Sequence, residues 1–517
     1  MNRPVSMLRN TAWATLGKYV EYFLGMVMSV LIARALGPQD YGVYAFAIWI
    51  SHLALLLVNG GLPTAVIKFL AELRGRNDYG AEGILFRRVN RFHHFALGGL
   101  LTLGGGVILL VGDQILPEQA PGELLWLVLL ATAFKASYMF RQGLAKGRED
   151  FRVIALTILV VAPINTAAVA AASAADAGLA TFLWIFTGAG VAYFGLLRLS
   201  LGRSPTGDPG AEERVAALRT RLHRHILLAT ANSLLAFLVF KQSELLFLRL
   251  FSDSTDIAYF SIAFTLSTAA ATLVPGILGS ILLPAMARAV ARDQASAAHT
   301  FRESTRYLWL LGLPLAVGGG IYADNLVAFL YGPDYAPAAV PLAFLLVASA
   351  IHMLGSAGSS YQISSDRQYI LLRMNLILVV VTLALDWFLI RSFGLAGAVA
   401  AFTITNIAAA AFIISLSARH LAVALPLAPA LRAIIAAALA AGAAWPLHWV
   451  LPTRVELLAG GAVFVTIYLL ATLRLRCWTV EDLATIQRLL NRPVVRRFVP
   501  GVGDFIERMG ARPAAPE

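Results

Sequence analysis

Long apolar blocks limit this chain more than any motif in it. About fourteen runs of roughly 18–25 apolar residues are bounded by charges or Gly/Pro turns, and each can cross the hydrocarbon of a bilayer as a helix. They fall at Trp13–Ala33, Gly42–Leu62, Phe92–Gly112, Leu124–Phe140, Val153–Ser173, Leu179–Leu199 and Ile226–Leu250. The series continues with Ile257–Pro284, Tyr307–Leu326, Ala338–Gly358, Leu371–Ile390, Leu395–Leu416, Leu431–Trp449 and Leu457–Leu473. With 59% of 517 residues hydrophobic and 14% charged, a soluble globular, disordered or coiled-coil chain is excluded. The single cysteine, Cys477, can form no intrachain disulfide. The first span exceeds the apolar core of a signal peptide and contains Lys18 and Glu21, so it is expected to stay with the protein.

A net charge of +12 could point to nucleic acid, but in a membrane protein it asks which side of the bilayer holds the cations. With fourteen spans the connections alternate sides. The N-terminus, the loops after even-numbered spans and the C-terminal tail then hold about 34 of the 41 Lys and Arg residues, among them Arg74, Arg76, Arg87, Arg88, Arg141, Lys146, Arg148 and Arg152. The opposite side keeps about three: Arg34, Arg391 and Arg454. The positive-inside tendency makes both termini cytoplasmic, and a miscounted span would scramble the alternation. No nucleic-acid partner is expected.

The polar, basic stretch Leu201–Arg224 follows span six and reads as a cytoplasmic linker. Offsetting the chain against itself across this linker pairs Arg34 with Arg249, Tyr44 with Tyr259, Ala47 with Ile262, and Gly60-Gly61 with Pro275-Gly276. Such weak similarity at an offset of six spans implies parallel repeats, with a substrate site between halves. The expected fold is thus an all-α polytopic membrane protein: residues 1–200 and 225–420 as two pseudo-symmetric six-helix bundles, 201–224 as linker, and 421–474 as two added helices. Residues 475–517 form a tail whose stretch Thr479–Leu490 places Glu481 and Asp482 early and Arg488 and Arg492 late, as a helix dipole prefers.

Ionisable side chains inside spans cost a few kcal/mol each and are the sharpest functional signal. They are Lys18, Glu21, Lys135, Lys241, Glu244, Arg249 and Asp386. Lys18 with Glu21, and Lys241 with Glu244, stand three residues apart and can neutralise each other on one helix face. Alternatively, a cation of the set lines a polar cavity and meets an anionic substrate. Arg249 follows Lys241 by about 12 Å along the axis and about 80° around it, so both can serve one cavity at different depths. Arg34 and Arg249, at span ends, can also snorkel to headgroups. Lys135 has no carboxylate three or four residues away. Asn59, Asn165, Asn232, Asn375 and Asn406 read first as interhelical hydrogen-bonding groups. Pro163, Pro275 and Pro314 are candidate hinges.

Catalysis and cofactors find no support. His93-His94 and His223/His225 lack metal spacing, and no Walker-type phosphate loop is present. The glycine runs Gly104–Gly106 and Gly318–Gly320 lie in apolar spans and suit close helix packing.

The segment LGPQDYGVYAFA, Leu36 to Ala47, resembles the polysaccharide or O-antigen flippases, the Wzx-type branch of the multidrug/oligosaccharidyl-lipid/polysaccharide exporter superfamily. Gln142–Arg148 is similar to that family's basic connection after the fourth helix, and Ser252–Ala263 to its turn into helix eight. Pro284–Arg288 resembles the exit of that helix, and Leu330–Tyr335 the external turn after helix nine. The resemblance implies paired six-helix bundles around a central cavity in the bacterial inner membrane. It implies movement of an undecaprenyl-pyrophosphate-linked oligosaccharide to the periplasmic leaflet by alternating access, alongside a polysaccharide polymerase and a chain-length regulator. By location, Lys18, Lys135, Lys241 and Arg249 match the family's cationic cavity; Glu21, Glu244 and Asp386 are left for coupling or charge pairing. The mixed Lys/Glu composition departs from a purely cationic cavity. Rival readings are a peptidoglycan-precursor flippase, a cation-coupled multidrug antiporter, which favours twelve spans and an acidic cavity, and a membrane enzyme acting on lipid-linked sugars. Short external loops without an acid/base constellation argue against the enzyme.

Overall fold

A computed structural model describes residues 3–116, 122–202, 210–240, 243–273, 276–479 and 481–484. Among them all regular structure is helical. In chain order the helices are α1 (Arg3–Asn59), α2 (Leu62–Gly75), α3 (Tyr79–Ile115), α4 (Leu124–Gly147), α5 (Phe151–Ala174), α6 (Leu179–Ser200), α7 (Ala211–Ala217), α8 (Arg219–Phe240), α9 (Glu244–Phe251) and α10 (Ser254–Leu273). They continue as α11 (Gly276–Arg292), α12 (Gln294–Ile321), α13 (Ala323–Tyr331), α14 (Ala339–Ser364), α15 (Gln368–Leu385), α16 (Arg391–Leu421), α17 (Leu427–Ala444), α18 (Leu447–Val450) and α19 (Thr453–Arg474).

Among the described residues ten helices are long and apolar enough to cross a membrane, or eleven if the bent pair α12–α13 counts as one more. The fourteen expected spans are consistent with this number, because some helical runs hold two spans. The 57-residue α1 is about 85 Å long at 1.5 Å per residue, far beyond one bilayer crossing. It is broken at Gly37, whose φ of 71° and ψ of 171° no other residue adopts without strain. A second break, at Gly394, divides the α15–α16 run in the same way. Pro163 and Pro314 sit inside α5 and α12 without ending them. Pro275 lies outside the described residues.

The turns on the basic side follow one local rule. After α2 the chain passes through left-handed Asn77, and after α4 through left-handed Glu149. Asp78 N–H then donates to the Leu73 carbonyl at 2.9 Å, and Asp150 N–H to the Ala145 carbonyl at 2.9 Å, closing each helix end. Both aspartates immediately cap the next helix: Asp78 accepts from Ala81 N–H at 3.0 Å and Asp150 from Val153 N–H at 3.4 Å.

Contacts gather the chain into two compact units. One comprises residues up to Thr265 with Leu330–Tyr335 and Leu372–Ala401; the other comprises Leu266–Phe329, Ala336–Leu371 and the chain from Phe402. In the first unit, Val66, Phe69, Leu70, Leu85, Phe140 and Leu144 form a buried cluster that also takes Val215 and Leu222. The stretch read as a linker therefore packs, through α7, onto the basic end of this unit. Arg214 fastens it with bonds of 2.8 and 3.0 Å to Asp78, and that contact holds the Asp78 carboxyl below its ordinary range. Beneath the cluster Glu82 is wholly buried and accepts from Arg74 and Arg148, each at 2.7 Å.

In the second unit the alanine face of α17, Ala436, Ala437, Ala440 and Ala444, packs with Phe464 and Tyr468 of α19. Tyr468 donates to the Leu310 carbonyl of α12 at 2.8 Å, so the two added helices are fixed to α12. The C-terminal tail opens with a reciprocal cap. Thr479 N–H donates to Asp482 at 2.8 Å, and Asp482 N–H donates to the Thr479 hydroxyl at 3.2 Å. Asp482 also bonds Arg306 at 2.7 Å and the Tyr307 hydroxyl, which latches the tail to α12. The rest of the expected amphipathic stretch, with Arg488 and Arg492, lies outside the described residues.

Candidate functional site

The first unit assembles a polar stripe along α4. Lys135, Tyr138, Gln142 and Lys146 stand at i, i+3, i+7 and i+11, and eleven residues return to within about 20° of the starting direction, so one face carries all four. The Lys135 ammonium lies 3.5 Å from Nε2 of His52 and 5.0 Å from the ring centroid of Phe186. Gln142 donates to the Tyr138 hydroxyl at 2.7 Å, and the Tyr138 and Tyr193 rings lie 5.0 Å apart.

Glu21 of α1 is the carboxylate of this group. Its electrostatic neighbours are Lys135, Lys18 and Lys146, in that order, and both tyrosines feel its charge. Lys18 and Glu21 close no ion pair with each other; Lys18 instead lies over the Tyr22 ring at 5.5 Å. Lys18, Glu21 and Lys146 are exposed in the isolated chain and Lys135 is half-buried. Three ammonium groups around one carboxylate leave a net charge of about +2, with phenols beside it. Such a surface can hold a phosphate-type anion through charge and a sugar through ring stacking and hydroxyl bonds.

A second constellation is acidic. Glu244, at the start of α9, and Asp386 are both buried and electrostatically coupled. Asp386 opens a π-helical turn, Asp386–Ile390, a local widening that often marks functional positions. Ser243 donates to Asp386 Oδ2 at 2.8 Å, while Asp386 Oδ1 and Glu244 Oε2 have no hydrogen-bond partner among the described residues. Two buried like charges repel, and an unpartnered buried carboxylate oxygen is costly, so a proton shared by the pair would relieve both.

The structure thus brings Lys18, Glu21 and Lys135 together, and Glu244 with Asp386. Arg249 stands elsewhere: its guanidinium donates to the carbonyls of Gln114, Ile115 and Leu116 at 2.9–3.1 Å, closing the end of α3. Its repeat equivalent Arg34 likewise donates to a backbone carbonyl, that of Leu330, at 2.7 Å. Lys241 lies outside the described residues. Among the asparagines, Asn59 donates to the Ala136 carbonyl at 3.2 Å and Asn165 to Met28 Sδ at 3.1 Å, helix-to-helix bonds of the expected kind. Sequence reading placed Lys146 among the cytoplasmic cations rather than beside Lys135, and did not single out Tyr138, Tyr193 or His52. The i+11 spacing from Lys135 would have found Lys146; nothing local marks the others.

Near the break at Gly37, Tyr335 donates to the Ala33 carbonyl at 2.6 Å and Ser29 bonds both Tyr41 and Tyr331. The two segments that carried the resemblance, Leu36–Ala47 and Leu330–Tyr335, therefore meet in one tyrosine cluster. Gly42, within the first of these segments, is packed against the start of α10, where a Cβ would stand 1.7 Å from the Ser254 carbonyl oxygen.

Long apolar helical runs with glycine breaks and ionisable groups inside them define a polytopic membrane protein. The chain belongs to the polysaccharide biosynthesis protein family, whose model matches residues 7–290. That match contains the Leu36–Ala47, Gln142–Arg148, Ser252–Ala263 and Pro284–Arg288 segments. A relative, the EPS I polysaccharide export inner membrane protein EpsE of Ralstonia solanacearum, is 24% identical over 344 residues, 63% of this chain and 73% of that protein. The fold is similar to that of lipid II flippase MurJ in an inward closed conformation, with a TM-score of 0.70 and 12% identity over 93% of this chain and 99% of that one. It is also similar to an inward-facing multidrug resistance MATE family transporter of the MOP superfamily, with a TM-score of 0.59 and 13% identity over 79% and 98%. The protein is a multi-pass membrane protein of the polysaccharide biosynthesis family.

Proposed function

We propose that this protein moves an undecaprenyl-pyrophosphate-linked oligosaccharide, an O-antigen, capsule or exopolysaccharide repeat unit, from the cytoplasmic to the periplasmic leaflet of the inner membrane by alternating access. The observation that carries the reading is the cluster of Lys18, Lys135 and Glu21 inside the spans, with Lys146 at the end of α4, in a polysaccharide biosynthesis family member. A sugar headgroup cannot cross about 30 Å of hydrocarbon unaided, because its hydroxyls would lose water without replacement. A polar stripe on α4, with the lipid tail left outside, supplies those partners. Glu21 serves as the internal counter-ion of Lys135 while the site is empty, and the pyrophosphate takes its place on loading. Glu244 and Asp386 carry the coupling charge, a proton or a monovalent cation, that resets the carrier. A polymerase and a chain-length regulator act on the delivered unit.

The test is leaflet accessibility of undecaprenyl-linked glycan in cells lacking the gene, probed with an impermeant sugar-modifying reagent. Cytoplasmic accumulation with loss of surface polysaccharide is expected. Normal glycan export with a defect in peptidoglycan precursor instead assigns the substrate of the rival flippase, and normal export with altered drug sensitivity assigns the antiporter. Complementation by a Lys18, Lys135 and Lys146 triple Gln variant as good as that by wild type would remove the binding role from these lysines.

A further inference from the structure

At the basic end of the first unit, most arginines near the α7 attachment have an acidic partner. Arg74 and Arg148 bond Glu82, Arg76 and Arg221 bond Glu72, and Arg214 bonds Asp78. A cleft of about 650 Å³ beside them mixes Arg74, Arg148 and Arg152 with Glu149 and Asp150, so its charges are internally balanced. A separate cleft of about 320 Å³ is different. It is lined by Arg88, Arg91, Arg219 and His223 without a carboxylate, and its three arginines pair with no acid among the described residues.

The arrangement follows from helical spacing. On α3, Arg88, Arg91, Phe92 and Phe95 stand at i, i+3, i+4 and i+7 and share a face; on α8, Arg219 and His223 share another. The Phe92 ring meets His223 edge-on at 5.7 Å, which fixes the two faces together. The cations come first along α3 and the phenylalanines follow toward the apolar span. Phe95 is 80% exposed. Just beyond it Gly98 and Gly99 have nothing within 4 Å of where a Cβ would stand, so an open groove continues from the arginines into the lipid-facing stretch.

We propose that this cleft binds one anionic glycerophospholipid, its phosphate among Arg88, Arg91 and Arg219 and an acyl chain along Phe92, Phe95 and the Gly98-Gly99 groove. Charge complementarity selects the headgroup, since unpaired arginines at headgroup level gain most from an anion. The adjoining apolar groove selects a lipid over a free anion. The site is separate from the α4 stripe and does not rest on the transport reading.

The full-length protein, delipidated in a neutral detergent, is examined by native mass spectrometry with dioleoyl phosphatidylglycerol, dioleoyl phosphatidylcholine, undecaprenyl pyrophosphate or inorganic phosphate. Wild type is expected to retain one phosphatidylglycerol about tenfold more tightly than phosphatidylcholine. The Arg88→Gln/Arg91→Gln/Arg219→Gln variant is expected to lose that preference. A control of equal charge loss, Arg87→Gln/Arg152→Gln/Arg292→Gln, is expected to keep it. Single Arg91→Gln and Arg219→Gln variants should each lose part of it, which preserves the test should the triple variant fold poorly. Equal retention by wild type and the single variants overturns the proposal. So does competition by inorganic phosphate at lipid concentrations, which marks a plain anion site, or displacement by undecaprenyl pyrophosphate in preference to phosphatidylglycerol, which marks a substrate site.

Discussion

Lys135 shows how a single charge inside a span gains its partners from distant parts of the chain. Its partners, Glu21, His52 and Phe186, come from three other stretches of chain, so its sequence neighbourhood holds no counter-ion. Replacing Lys135 by Gln removes a charge-assisted contact of about 1.5–3 kcal/mol, and substrate affinity is expected to fall roughly 10–100-fold, read from binding of a purified lipid-linked glycan to the solubilised protein. Glu21→Gln is expected to act the other way on binding, because the substrate no longer competes with an internal carboxylate, while transport slows as product leaves less readily. Equal loss of binding in both variants would remove the counter-ion role. Away from the site, Glu82 makes a stability prediction. Glu82→Gln leaves Arg74 and Arg148 facing a neutral group in a buried setting that costs about 3–5 kcal/mol when one partner is lost, and the lower end applies because Arg74 is 34% exposed. A drop in melting temperature of the detergent-solubilised protein checks it. That charges stand inside the spans was legible in the sequence, since a charge in a span announces itself. Which of them meet was not: Glu21 and Lys135 are joined by the packing of α1 near α4, and Arg249 reads like a cavity cation until its three carbonyl partners are seen.

Helix content and span positions were the most legible level, because hydrocarbon thickness fixes the length of an apolar block whatever its neighbours are. Breaks were less so. Gly37 and Gly394 interrupt long helical runs through backbone angles, and a glycine in an apolar stretch looks the same whether it serves packing or a turn. The linker shows a similar limit. Its polarity predicts exposure, yet Val215 and Leu222 bind it to the first unit's core, a contact that depends on residues more than a hundred positions away. The tail latch is an element whose strength depends on pH. Burial raises the Asp482 carboxyl, but the bonds from Tyr307 and Thr479 and the Arg306 charge outweigh this and leave it below its ordinary value of 3.8. A depressed folded-state pKa means that the latch contributes fully above that ordinary value and loses its contribution as pH falls through the lower folded one. Protection of the amides around Thr479–Asp482, taken relative to their intrinsic exchange rate at each pH, is therefore expected to be flat across neutral pH and to fall only in strong acid. In Asp482→Asn it is expected to be low at every pH. A loss of protection beginning near neutrality would show that another group holds the tail.

For the whole molecule the proposed function gives the two charge clusters separate tasks, and the sum over the lysine site says where a membrane potential would act. Lys18, Lys135 and Lys146 against Glu21 give about +2, and a pyrophosphate linkage brings about one negative charge per phosphate, so the loaded site is close to neutral. Moving a neutral complex through the field costs nothing. The empty carrier, returning its site toward the cytoplasm with about two positive charges, gains up to ~4.6 kcal/mol per 100 mV of inside-negative potential if those charges cross the full field. Under the proposed cycle the potential therefore drives resetting rather than delivery. In proteoliposomes with an imposed potassium diffusion potential, multiple-turnover transport is expected to accelerate as the interior that represents the cytoplasm becomes more negative, while a single loaded crossing is insensitive. Lys135→Gln shifts the balance: its loaded site carries about −1, so the single crossing becomes potential-dependent and the return loses half its drive. Asp386→Asn, by contrast, leaves the lysine site intact and is expected to abolish the response to an ion gradient while the substrate still binds. If the Lys135→Gln and wild-type proteins show the same dependence on potential, the lysine cluster does not carry its charge through the field, and the drive must come entirely from the buried Glu244–Asp386 pair.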